Sequence, residues 1–93
     1  MDLVKSLKVA KNSKDCLELL SSVDKEVNGE DMRVAFRKLI LRTAFHLAKT
    51  AEECEEVQRL AEEFAQKHDS AEDHGFAEIA KRAENQKPAP FLD

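Results

Sequence analysis

The 93-residue chain is long enough for one domain with a modest core, burying roughly 60–65% of its unfolded surface. Its 42% apolar and 37% charged residues are a globular composition, and two Gly with two Pro leave too few turns for a β-sandwich or barrel. A net charge of −4 and a pI near 5.4 give no global positive field for nucleic acid or anionic membrane. No apolar run reaches the roughly 18 residues of a membrane span, and no signal-peptide core is present, so an intracellular, cytoplasmic protein is expected.

In chain order, the pattern predicts five helices. The first, over residues 2–11, places Leu3, Val4, Leu7 and Ala10 on one face. Asn12 then caps a second helix over 12–27, with Asp15 at the third helical position reaching back to the open amides. Its core stripe is Cys16, Leu19, Leu20, Val23 and Val27 at spacings of three and four. Asn28-Gly29 ends it, because both residue types tolerate a left-handed turn. Glu30 and Asp31 open a third helix over 30–49, where carboxylates complement the positive helix end.

The third helix is apolar over more than one face. Met32, Ala35, Phe36, Leu39, Ile40 and Leu47 form one stripe, and Val34, Leu41, Phe45 and Ala48 broaden it. So wide an arc implies neighbours on several sides and a central place in the domain. Thr50-x-x-Glu53 is a capping box that starts a fourth helix. Ala51, Cys54, Val57, Leu60, Ala61, Phe64 and Ala65 face inward there, under a glutamate-rich outer face. Ser70-x-x-Asp73 starts a fifth helix, with Phe76, Ile79, Ala80 and Ala83 inward, which stops before Pro88.

The chain also echoes itself. Ala10-Lys11-Asn12-Ser13-Lys14-Asp15-Cys16-Leu17-Glu18 matches Ala48-Lys49-Thr50-Ala51-Glu52-Glu53-Cys54-Glu55-Glu56 at an offset of 38, with Ala, Lys, Cys and Glu identical. Asn28-Gly29-Glu30-Asp31 and Ser70-Ala71-Glu72-Asp73 form a second, looser echo. A period near 40 residues is the length of a helical hairpin. The expected architecture is all-α, four to five helices forming a compact bundle or a short stack of two helical hairpins. A single helical domain spans 1–86, made of an N-terminal helix (2–11) and hairpins 12–49 and 50–86, followed by a Pro-containing tail, 87–93.

Charge alternates in step with this period. Residues 1–14 carry Lys5, Lys8, Lys11 and Lys14 against Asp2, and residues 15–31 carry six carboxylates against Lys25. Residues 32–51 carry Arg33, Arg37, Lys38, Arg42 and Lys49 with no acid, and residues 52–63 hold six Glu against Arg59. One reading sets each basic helix beside an acidic one, so that rim ion pairs steer register. The other shares Arg33, Arg37, Lys38 and Arg42 along a common stripe that meets phosphate or an acidic partner.

Catalytic signatures are missing from the sequence: no Gly-x-Ser-x-Gly elbow, Gly-rich phosphate loop or HExxH. Two cysteines without a CxxC spacing define no zinc site, and no Glu-x-x-His exists for a di-metal bundle. Cys16 and Cys54 are expected as buried thiols in a reducing compartment. His68 and His74 beside Asp69 and Asp73 match no ligand spacing, so neither cofactor nor metal is expected. The expected function is a non-catalytic protein–protein interaction module: an adaptor, small subunit or inhibitor. Its candidate contacts are Arg33, Arg37, Lys38 and Arg42, the outer glutamates Glu55, Glu56 and Glu63, and Phe91-Leu92 in the tail, as a short motif or a cover for the last hairpin. The partner is expected to be another protein, with a homodimer through the third helix also possible. The alternative is a small nucleic-acid-associated regulator using basic helices 2–11 and 30–49, against which stands the absence of Trp and Tyr for base stacking.

Overall fold

The computed structural model describes residues 3–69 and 75–85 and is all-α, with no strand among them. The helices are α1 (Leu3–Val9), α2 (Ser13–Glu18), α3 (Leu20–Glu26), α4 (Glu30–Leu47), α5 (Ala51–His68) and α6 (Gly75–Asn85). They fall into two compact units, Met1–Leu47 and Ala48–Asp93. All five predicted helices are present, and the second is divided in two at Leu19.

In the N-terminal unit, Asn12 starts α2 as expected. Its Oδ1 accepts the Asp15 N–H at 2.8 Å, and Asp15 Oδ2 in turn accepts the Lys11 N–H at 3.4 Å. The break at Leu19 has a local cause. Leu19 N–H donates to Cys16 O, and Ser22 N–H donates to Leu19 O, both three residues apart, tightening one turn. The Ser21 hydroxyl also donates to Glu18 O at 3.1 Å, a serine competing with the backbone ladder. Both α2 and α3 pack on α4. Cys16 and Val23 are fully buried, while Leu19 and Leu20, predicted for the same stripe, are only half-buried beside the break.

The α3–α4 turn departs from expectation in detail. Gly29 has φ +94, the left-handed conformation foreseen for this pair. It does not end the preceding helix, however; it opens α4, and its carbonyl accepts the Arg33 N–H at 3.1 Å. The helix ends earlier, at Glu26, because Val27 turns to extended backbone (φ −102, ψ 125) and buries its side chain.

In α4 the buried residues are Ile40, Leu41 and Ala44. Met32, Ala35 and Leu39, predicted for the core stripe, lie exposed instead. Val4 of α1 is likewise exposed, while Leu3 and Leu7 are buried.

The C-terminal unit is the α5–α6 hairpin. Thr50 Oγ1 accepts the Glu53 N–H at 3.2 Å, and Glu53 Oε1 accepts the Lys49 N–H at 3.3 Å. Inward residues Cys54, Val57 and Ala61 of α5 pack with Phe76, Ile79, Ala80 and Ala83 of α6, all buried as expected. Burying a side chain the size of Phe76 stabilises by roughly 1.5–3 kcal/mol. The predicted start signal Ser70-x-x-Asp73 lies outside the described residues. Asp69 ends α5, its N–H donating to Ala65 O at 3.0 Å. Its carboxylate also receives the N–H groups of Phe76 at 3.1 Å and Ala77 at 2.9 Å, so it anchors the first turn of α6. Phe64, His68 and Phe76 close this end with ring centroids 5.4–6.1 Å apart.

A Cβ at Gly29 would meet nothing within 4 Å, so its conformation alone governs substitution. Gly29→Ala is expected to lower stability by about 1 kcal/mol and Gly29→Asn by less, read from urea midpoints. An unchanged midpoint for Gly29→Ala would contradict the left-handed turn.

Candidate functional site on the exposed face of α4

Two basic residues of α4 reach back to α3. Arg33 Nε donates to the Val27 carbonyl at 2.8 Å, holding the acceptor left open where α3 stops. One turn on, the half-buried Arg37 pairs with the exposed Asp24. The pairing joins an acidic helix to a basic one, as the register-setting reading of the charge blocks anticipates. Ile40, Leu41 and Ala44 follow on the inward side.

With that side committed, the opposite side of α4 is open. Met32, Ala35, Leu39, Arg42 and His46 are all exposed, at alternating spacings of three and four. Such spacing makes one continuous stripe along the helix. Met32 is 54% exposed and Leu39 43%, and with Val4 and Val9 they are the large apolar side chains most open to solvent among the described residues. Near the start of α4, Met32 and Phe36 join Leu3, Val4 and Val27 around a shallow recess of about 310 Å³.

The four basic contact residues expected on α4 are therefore not on one side of that helix. Arg33 and Arg37 turn toward α3, Lys38 is half-buried and engaged within the chain, and Arg42 lies on the open stripe. On α5, Glu55 is exposed, while Glu56 and Glu63 both pair with Arg59, at 2.5 and 3.1 Å. Exposed pairs of this kind, one turn apart on a helix, contribute little to stability. Phe91 and Leu92 lie outside the described residues. Met32, Ala35 and Leu39 were missed as surface residues because their spacing is identical to that of a core stripe. The available signal was the width of the arc, too broad for every apolar residue of α4 to be covered in a chain of this size.

Cys16 and Cys54 are buried thiols at matching places, each donating its N–H to the capping residue four positions earlier, Asn12 or Thr50. Burial, with a smaller contribution from the Asp15 carboxylate, pushes the Cys16 thiol above its ordinary pKa near 9.0. Among the described residues, no three His, Cys, Asp or Glu side chains gather to hold a metal; His74 and Asp73 lie outside them. No described helix is long and apolar enough to cross a membrane.

Comparison of the chain with protein-family models, curated proteins and solved structures finds no match.

Two outcomes follow from this geometry. Arg33→Ala and Arg37→Ala should each lower the unfolding free energy measured in urea, Arg33→Ala by about 1 kcal/mol because it leaves a carbonyl without its donor, whereas Arg42→Ala should leave it unchanged. Equal effects at all three would contradict the division of the basic residues. The raised Cys16 pKa means that the folded chain holds the thiol proton longer than the unfolded chain does. Its contribution is intact below pH 9.0 and is lost as pH rises through the folded value. Cys16→Ala should flatten the fall in stability measured above pH 9.0; an identical fall in both proteins would contradict that assignment.

Proposed function

We propose that the protein is a non-catalytic protein–protein interaction module of the cytoplasm, an adaptor, small subunit or inhibitor, and that the open stripe of α4 is its contact surface. The observation that carries this reading is the exposure of Met32 and Leu39 on a helix whose other side is already packed. Helical recognition elements commonly present apolar anchors at this spacing, with polar residues at the margin. Arg42 and His46 supply that margin at one end, and the recess beside Val4 and Met32 supplies a concave seat at the other. The buried thiols give no support to cysteine chemistry.

The nucleic-acid reading is less well supported than the sequence alone allows. Arg33 and Arg37 direct their guanidinium groups to α3, which leaves fewer cations for phosphate on α4.

The test is affinity capture from the native cell with two baits, the wild-type chain and Met32→Ser/Leu39→Ser. Both substitutions replace exposed side chains, so helicity by circular dichroism should match wild type. At least one protein should be captured by the wild type and lost with the double variant. Identical protein sets on both baits, or capture only through nuclease-sensitive nucleic acid, would overturn the reading.

A further inference from the structure

The exposed stripe of α4 is polarised. Asp31 stands at its start, Met32, Ala35 and Leu39 fill its middle, and Arg42 and His46 occupy its far end. Asp31 and Arg42 are eleven positions apart, about three helical turns or roughly 16 Å, so both lie on the same edge of the stripe. Lys38 lies further round the helix, half-buried and engaged within its own chain.

A two-fold axis perpendicular to α4, passing near its middle, would set a second α4 antiparallel on the first. That operation keeps each edge of the stripe on its own side and exchanges its ends. Asp31 of one chain then meets Arg42 of the other, and the reverse pair forms symmetrically. Leu39 falls beside Met32 and Ala35 of the facing helix, and the small side chain of Ala35 permits close approach near the axis. A parallel two-fold would instead exchange the edges and keep the ends, leaving Asp31 level with Asp31 on opposite edges and too far along the helix from the other chain's Arg42 to pair with it. The sequence along this face is self-complementary in one orientation alone.

The geometry points to a second copy of this chain as the occupant of the stripe, in a two-fold antiparallel α4–α4 dimer with reciprocal Asp31–Arg42 pairs. This inference rests on the reading of the stripe as a contact surface and names what covers it. A single helix face is a small interface by the standards of obligate dimers, so the association is a weak, concentration-dependent one.

Sedimentation of the full chain, from low micromolar to about millimolar concentration, tests it. The mass should rise from 10.5 kDa toward twice that value. Arg42→Glu, an exposed substitution compatible with folding, should weaken association about tenfold, and Leu39→Ser at least as much. Adding Asp31→Arg to Arg42→Glu should restore association to near the wild-type value, an outcome that a merely structural role for either residue would not produce. A monomer mass at every concentration would overturn the dimer. So would association indifferent to Arg42→Glu, or no rescue in a charge-swapped chain whose circular dichroism shows an intact fold. The capture experiment separates the two levels: a lost heterologous partner with a strictly monomeric chain would refute the dimer and retain the contact surface.

Discussion

The unsatisfied amides at the start of each helix are the constraint on which the rest of the structure depends. A helix leaves its first N–H groups without internal acceptors, and this chain has few glycines and prolines to punctuate its turns. Polar side chains do that work for α2, α5 and α6. Asn12 and Thr50 accept amides three residues on, while Asp15 and Glu53 accept the amides that precede the caps. Asp69 does the same at longer range, binding two amides of α6 across the connecting segment. Each cap fixes the rotational setting of its helix, and hence which side chains go inward. Cys16 and Cys54 are buried at matching places because the two caps have the same geometry. The echo of 38 residues is thus expressed as a repeated local structure.

In the N-terminal unit the decisive element is α4, which serves two sides at once. Its inward side carries Ile40, Leu41 and Ala44, and the links from Arg33 and Arg37 to α3 fix its orientation. Those two links are short-range and specific, yet they account for half of the cations that the sequence places on this helix between residues 33 and 42. What stays outward is a stripe of mixed chemistry, apolar in the middle and charged at its ends. An exposed apolar middle is a liability in a soluble monomer unless something meets it.

Much of this was legible in the sequence. Apolar spacing located all five expected helices, the caps Asn12 and Thr50 located the starts of α2 and α5, and Phe76, Ile79, Ala80 and Ala83 were correctly placed inward, because α6 has a narrow, unambiguous stripe. The pairing of acidic α3 with basic α4 through Asp24 and Arg37 matches one of the two readings the charge blocks allowed, although the sequence did not say which arginine would do it. Three features were not legible. The break at Leu19 arises from competition by the Ser21 hydroxyl, an effect too local for periodicity to register. The reach of Asp69 to α6 crosses seven and eight positions, beyond any capping motif. The open face of α4 was hidden because periodicity reports which residues share a side, and only packing decides which side is covered.

The most direct test of α4 as the contact face is site-specific photo-crosslinking in the native cell. A benzoylphenylalanine placed at Leu39 should give a discrete adduct, whether with a second copy or another protein, while the same probe at exposed Glu62 on α5 should give none. Equal adducts at both positions, or an adduct at Glu62 alone, would contradict the assignment of function to this face.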